Sequence, residues 1–233
     1  MIKQALILAA GQGVRMGEAG REAPKGFIEL GGETLIARQL RLLAERGIDD
    51  VTIVTGHLAH FFDGYGTRRI HNPQFAEKGS LWSLVLGLAA VRGPFLLLES
   101  DITFQPRALD AMLAGEDANI LVSGRTDSGD EVYVWDKDGQ FAGMHKNPTA
   151  FPGTPRGELV GILRISEAQR QAVLAIEAER HAQSIKADYE SGLVAAMALS
   201  GPIGLTMIED LVWTEIDDQR MLDRARDLIL PRL

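Results

Sequence analysis

The sequence predicts an α/β fold built on a mostly parallel sheet. Three segments carry that prediction: an apolar run at residues 4–10 (QALILAA) ending in glycine, a segment with helical spacing at 34–46 (TLIARQLRLLAER), and a β-branched run at 51–55 (VTIVT). Strand, helix and strand in that order imply a right-handed crossover, which lays the two strands parallel.

Each element follows from its residues. Residues 4–10 are apolar without alternation, as expected of a strand covered on both faces. The loop 11–25 is rich in glycine and charge and is broken by Pro24. Gly47 is a natural stop for the helix at 34–46. Residues 80–91 (SLWSLVLGLAAV) read as a largely buried helix, and 94–98 (PFLLL) as an apolar strand running into Glu99-Ser100-Asp101. A helix begins at 108–113, and strands follow at 120–123 and 132–136. Asp138-Gly139 signals a tight turn. Residues 158–165 are strand-like, 167–180 form a polar amphipathic helix, and 189–199 form another helix. Residues 210–216 alternate into a last strand, and 218–230 form a C-terminal helix with Asp218 as its N-cap. There is no internal repeat and no linker-like stretch, so residues 1–233 are expected to form a single domain.

Composition narrows the function. The 233 residues are 45 % hydrophobic and 24 % charged, ordinary globular values that exclude disordered and collagen-like classes. There are no cysteines, which removes disulfides, thiolate metal sites and cysteine nucleophiles. The formal charge of −8 repels duplex nucleic acid. The apolar run near the start is too short for a membrane span and lacks a signal-cleavage pattern, so a cytoplasmic protein with no membrane partner is expected. His57-x-x-His60 is too sparse for a metal site, and no G-x-S-x-G elbow is present.

The sharpest signal is the loop Leu8-Ala9-Ala10-Gly11-Gln12-Gly13-Val14-Arg15-Met16-Gly17, followed by Pro24-Lys25. Small residues let backbone N–H groups approach a phosphate, and glycine admits positive φ. Arg15 and Lys25 add cations at the same mouth. The loop is not G-x-x-x-x-G-K-[ST]. It also departs from the dinucleotide fingerprint, because the third glycine falls one residue late and a charged loop follows instead of a helix.

This pattern resembles the signature of the nucleotidyltransferases that make sugar nucleotides and CDP-alcohols. The resemblance implies a three-layer α/β/α sandwich with a mostly parallel, Rossmann-like, GT-A-type mixed sheet. It implies that Leu8, Ala9, Ala10, Gly11, Gly13, Arg15 and Lys25 hold the nucleotide, and that Asp101 and Asp217 bind Mg²⁺. Residues 72–84, from Asn72-Pro73-Gln74-Phe75 to Ser80-Leu81, are similar to a stretch of the phosphocholine and 2-aminoethylphosphonate cytidylyltransferases, which adds Gly79 and Ser80 to the nucleotide set. Many of those enzymes have a polar pair where this chain has Lys78-Gly79. Glu215-Ile216-Asp217-Asp218 is similar to the E-I-D-D of the same branch.

The implied reaction is transfer of CMP from CTP to a small phosphorylated or phosphonate amino-alcohol, with release of pyrophosphate. Phosphocholine, phosphoethanolamine and 2-aminoethylphosphonate are the acceptors in view. Arg15, Lys25, Asp101 and Asp217 would be catalytic. An ammonium group wants a carboxylate or an aromatic face, which points to Trp82, Asp188, Glu190 and Glu215, with Tyr133, Trp135, Tyr189 and Trp213 as further aromatic candidates. Lys146 is expected to meet the acceptor phosphate. Two alternatives stay open: a sugar-1-phosphate or inositol-1-phosphate nucleotidyltransferase, and a non-catalytic nucleotide-binding module. Fold-level analogy allows a homodimer.

Overall fold

The computed structural model describes residues 2–115 and 118–233. Its opening run forms β1 (Gln4–Ala9), and the following loop holds the short α1 (Glu18–Glu22) between two 3₁₀ turns, Val14–Met16 and Lys25–Phe27. A small hairpin, β2 (Glu29–Leu30) and β3 (Glu33–Thr34), leads into α2 (Leu35–Ala44), where the Thr34 hydroxyl caps the helix by accepting from the Ala37 N–H at 3.3 Å. Then come β4 (Asp50–Thr55), β5 (Arg68–His71), α3 (Ser80–Leu88), β6 (Phe95–Glu99), β7 (Ile102–Phe104) and α4 (Arg107–Ala114). The second half contains β8 (Asn119–Ser123), β9 (Tyr133–Lys137), β10 (Gln140–His145), β11 (Gly157–Ile165), α5 (Glu167–Gln183), α6 (Tyr189–Ser200), β12 (Gly204–Ile208), β13 (Trp213–Glu215) and α7 (Gln219–Arg224).

Nine strands form one sheet in the order β5-β4-β1-β6-β11-β8-β12-β10-β9. The ladders β1–β4, β1–β6, β4–β5 and β8–β12 are parallel, as the first crossover requires. β11 runs antiparallel to β6, β8 and β9, and β10 runs antiparallel to β9 and β12. The sheet is therefore evenly mixed rather than mostly parallel. One part of this has a local cause: Asp138 and Gly139 both take positive φ (55° and 76°), which closes a hairpin and sends residues 140–145 back as β10.

Continuous apolarity in β1 reflects two covered faces. Ala5 and Ile7 pack with Ile36, Leu42 and Leu43 of α2, while Leu6 on the other face packs with Leu81, Leu84 and Leu88 of α3. Helices α5 and α6 extend that second core through Val173, Tyr189 and Leu193. A third cluster, with Met16, Leu35, Ile216 and Leu222, seats the loop after β1 against α7.

Some elements differ from expectation. The C-terminal helix keeps its Asp218 cap, which accepts from the Met221 N–H at 2.7 Å, but α-geometry ends at Arg224 and wider and then tighter turns run to Arg232. The strand expected over 210–216 shrinks to β13. Strands β5, β7, β10 and β12 had no clear apolar alternation to announce them.

Candidate active site

The chain leaves β1 toward β4 on one side and reaches β6 on the other, so the sheet reverses direction of growth between β1 and β6. Ligands in open α/β sheets bind outside the carboxyl ends of strands at such a point. Two adjoining clefts lie there, of about 450 Å³ and about 290 Å³. The first is lined by Leu8, Ala9, Ala10 and Gly11 from the β1 loop, by Gly79 and Ser80 at the start of α3, and by Asp188, Tyr189 and Glu190 at the start of α6. The second is lined by Arg15, Asp130, Glu131, Glu158, Trp213, Glu215 and Asp217. Lys25, Ser80, Glu99, Asp101, Lys146 and Glu190 line both.

Register brings the two aspartates together. β13 pairs antiparallel with β7, Glu215 opposite Ile102, and the Ile216 N–H donates to the Asp101 carbonyl at 2.9 Å. Asp217, one residue on, then meets Asp101 across a gap filled by the Lys25 ammonium, which donates to both carboxylates. Arg15 donates to Asp217 and to Asp130, and Lys146 donates to Asp130 at 2.6 Å. Asp101, Lys25, Asp217, Arg15, Asp130 and Lys146 thus form one alternating chain of charge across the junction of the clefts.

The electrostatics follow from this packing. Burial works against the charge of Lys25, but Asp101 and Asp217 outweigh it and hold the ammonium protonated well above its usual range. Burial likewise opposes the charge of Asp130, yet hydrogen bonds from Lys146 and Arg15 keep its carboxyl below the usual value. Glu215 has no such partner, and burial with the negative charges of Asp217, Asp101 and Asp130 pushes it up to about 8. Burial, then the charge of Asp188, pushes Glu190 up to about 7.

A stability prediction follows from Glu190. A carboxyl whose folded value lies above its unfolded one stabilises the fold most at low pH, and that contribution is lost as pH rises from about 4.5 through about 7. Glu167, lowered to about 2 beside Arg170, acts only at the acid end. The melting temperature of the ligand-free protein should therefore fall between pH 5 and pH 8, at about 2–4 °C per kcal/mol lost, and Glu190→Gln should flatten the slope. A melting temperature that stays level or rises over this range, or a slope unchanged by the substitution, would contradict the assignment.

Several residues singled out from sequence lie elsewhere. Trp82 lines neither cleft: its ring meets His181 edge-on with centroids 5.3 Å apart, and Lys78 Nζ sits 3.5 Å from its centroid. It lies on the face of α3 turned toward α5, so it is not placed to bind substrate. Trp135 is core, its ring tilted against Phe151 with centroids 5.1 Å apart. Tyr133 borders a separate cleft with Arg125 and Arg156. Gly13 shapes the loop instead of lining the main clefts: its φ is 61° and its carbonyl accepts from the Met16 N–H at 2.9 Å. Asp188 lines the first cleft but also caps α6, accepting from the Ser191 N–H at 2.7 Å. His57 steadies the β1 loop, its Nε2 lying 3.1 Å from the Gly20 carbonyl.

Nothing in the sequence marks Asp130 or Glu158 as site residues. Asp130 sits in a loop held by Glu158, which accepts from the Thr126 N–H and hydroxyl, and by Arg224, which donates to the Thr126 carbonyl. Positive φ at Asp127 and Gly129 turns that loop toward the site.

Comparison with known proteins agrees with this geometry. Residues 5–191 match the family model described as "MobA-like NTP transferase domain". The chain belongs to that family. It is 27 % identical over 239 residues to the "CMP-5'-(3-aminopropyl)phosphonate synthase" of Streptomyces rubellomurinus, covering 94 % of this chain but 38 % of that protein. It is 26 % identical over 225 residues to the "2-aminoethylphosphonate cytidylyltransferase" of Lancefieldella rimae, covering 89 % and 87 %. Among solved structures, the CTP:phosphocholine cytidylyltransferase from Streptococcus pneumoniae superposes with a TM-score of 0.79 at 19 % identity, over 97 % of this chain and 99 % of that one. This member of the MobA-like family therefore stands near the phosphonate and phosphocholine cytidylyltransferase branch, on an α/β fold with a mixed sheet. Among the described residues, no helix is long and apolar enough to cross a membrane.

Proposed function

We propose that this protein transfers CMP from CTP to a small phosphorylated or phosphonate amino-alcohol and releases pyrophosphate. The observation that carries this reading is the alternating chain of charge at the junction of two clefts. One cleft is bounded by the glycine-rich loop and the α3 start, which suit a nucleotide. The other is rich in carboxylates, which suit a cationic group on the acceptor. A sugar or inositol phosphate offers no positive charge to Glu131, Glu158, Glu190 and Glu215, so these acids speak for the amino-alcohol. Helices on both faces of the sheet support the three-layer arrangement.

In this mechanism Lys25 and Arg15 leave their carboxylates for the triphosphate, and Lys146 takes the acceptor phosphate or phosphonate. An acceptor oxygen then attacks the α-phosphorus in line. The new bond forms as the bond from the α-phosphorus to the bridging oxygen breaks, and its electron pair departs on pyrophosphate. The dianionic acceptor is already nucleophilic near neutral pH, so no side chain need remove a proton. Loop N–H groups, Lys25 and Arg15 hold the developing negative charge, and the clefts fix the line of attack.

Asp101 and Asp217 suit a divalent cation. Their carboxylates converge on one point, now filled by Lys25, and an all-oxygen donor set matches Mg²⁺. When bound there, Mg²⁺ supplies charge neutralisation at the phosphoryl oxygens.

Pyrophosphate release tests the reading, with CTP, UTP, GTP, dTTP and ATP each paired with 2-aminoethylphosphonate, phosphocholine, glucose 1-phosphate and inositol 1-phosphate. Turnover is expected with CTP and an amino acceptor, and Asp101→Ala should reduce it by on the order of 10²-fold or more. Turnover confined to a sugar or inositol phosphate would discard the cationic acceptor. CTP binding without any turnover would favour a non-catalytic module.

A further inference from the structure

β6 turns Leu96 and Leu98 into one core and Phe95 and Leu97 into the other, so Glu99 faces the side covered by α3 and α6. There the neighbouring strand β11 carries Gly161, in the middle of a ladder irregularity and with φ of 77°. A Cβ at Gly161 would come within 2.3 Å of Glu99 Oε2. Glycine inside a strand costs stability and often marks a close approach, and here the space it leaves is filled by a carboxylate. From α6, Tyr189 is 2 % exposed and its hydroxyl lies against Glu99 without completing a hydrogen bond of good geometry. Glu190 Oε2 is also buried with no partner. Glu99 and Glu190 line both clefts, beside Lys146.

A carboxylate oxygen and a hydroxyl buried without partners beside a second carboxylate, Glu99, are costly unless a ligand supplies the missing hydrogen bonds. A primary ammonium brings three N–H donors and the compensating charge. A quaternary ammonium brings none and is bound by aromatic faces. The tryptophans do not build such a cage: Trp82 lies outside the clefts, Trp135 is core, and Trp213 alone lines the second cleft, its Nε1 donating to Ser123 Oγ at 2.8 Å.

We propose that Glu99, Tyr189 and Glu190 form a receptor for a primary ammonium group, so that the acceptor is a short aminoalkyl phosphate or phosphonate and not a choline ester. This rests on the transferase reading above and narrows its acceptor; Glu99 becomes a specificity-determining residue. The phosphate or phosphonate end then falls on Lys146, beside Lys25 and Asp101.

The test is calorimetric titration of 2-aminoethylphosphonate, phosphocholine and ethylphosphonate into the protein with a non-hydrolysable CTP analogue present. Charge-assisted hydrogen bonds of this kind are worth about 10–150-fold in affinity. The primary amine should bind tighter than the other two by at least the lower figure. Glu99→Gln should remove most of that advantage while leaving ethylphosphonate within about 2-fold, and Glu190→Gln provides the same reading should the first variant fold poorly. Phosphocholine binding as well as the primary amine would overturn the receptor. So would a loss on Glu99→Gln shared equally by all three ligands, or no binding of any. Turnover separates the two readings: selective binding without CMP transfer keeps the receptor and removes the transferase, and transfer with a preference for phosphocholine does the reverse.

Discussion

Replacing Lys25 by methionine is expected to slow nucleotidyl transfer by on the order of 10²–10³-fold and, in the same protein, to tighten divalent-cation binding when no nucleotide is present. The two effects come from one contact. The Lys25 ammonium donates to both Asp101 and Asp217, with its side chain 16 % exposed. In the mechanism proposed above it competes with a cation for those carboxylates without nucleotide, and with nucleotide it would be drawn to the triphosphate and free them. Methionine keeps the volume and removes the competitor. It also takes Lys25 away from Asp101 and leaves Asp217 to Arg15 alone, and stripping one partner from a buried ion pair costs about 3–5 kcal/mol. The melting temperature of Lys25→Met should therefore drop without metal and recover when Mn²⁺ is added, by more than wild type gains. Mn²⁺ titration followed by electron paramagnetic resonance, alongside thermal melts, measures both. Binding no tighter than wild type, with no thermal recovery, would mean that Asp101 and Asp217 do not form a cation site.

What was legible in the sequence had local causes. The β1–α2–β4 unit could be read because each segment carries its own period and stop. Asp101 stood out as an acid ending a fully apolar run, and Asp217 through its E-I-D-D context. Asp130 could not be read, because its placement depends on Glu158 and Arg224, distant in sequence, holding a loop turned by Asp127 and Gly129. Glu99 was visible as the last residue of the same apolar run, but its meaning depends on Gly161 across the sheet. Tyr189 and Trp213 line the clefts, but Trp82 and Trp135 misled for the opposite reason. A tryptophan in a site-like segment is attracted to any apolar surface, and which face of α3 Trp82 occupies is decided by α5 and Lys78. The antiparallel share of the sheet exceeds what was expected because β10 lacks β-branched alternation and is recruited by its neighbours β9 and β12.

Gly79→Ala should disturb the site by sterics alone. Gly79 has φ of −76°, which any residue adopts, so no conformational freedom is being used. A Cβ there would lie 2.1 Å from the Ala187 carbonyl oxygen and 2.5 Å from the Lys186 carbonyl carbon, and both are backbone atoms that cannot swing aside. The two segments are laced together around that point. The Gly79 N–H donates to the Ile185 carbonyl at 3.0 Å, the Leu81 N–H to the Ala187 carbonyl at 3.2 Å, and the Tyr189 N–H to Ser80 Oγ at 2.9 Å. This close approach accounts for a glycine at this position. Alanine must push the start of α6 away from the start of α3, which strains a packed core by about 1–3 kcal/mol and moves Asp188, Tyr189 and Glu190 relative to Lys146. Acceptor KM should rise more than nucleotide KM, because the loop after β1 is anchored independently through His57 and the α7 cluster. A displacement on the order of 1 Å from the productive geometry costs about 10²-fold in rate, so kcat/KM for the acceptor should fall by that order while the protein stays folded. Equal loss for both substrates would place the damage at the nucleotide cleft instead, and no loss would mean that the contact between the two helix starts does not position the acceptor.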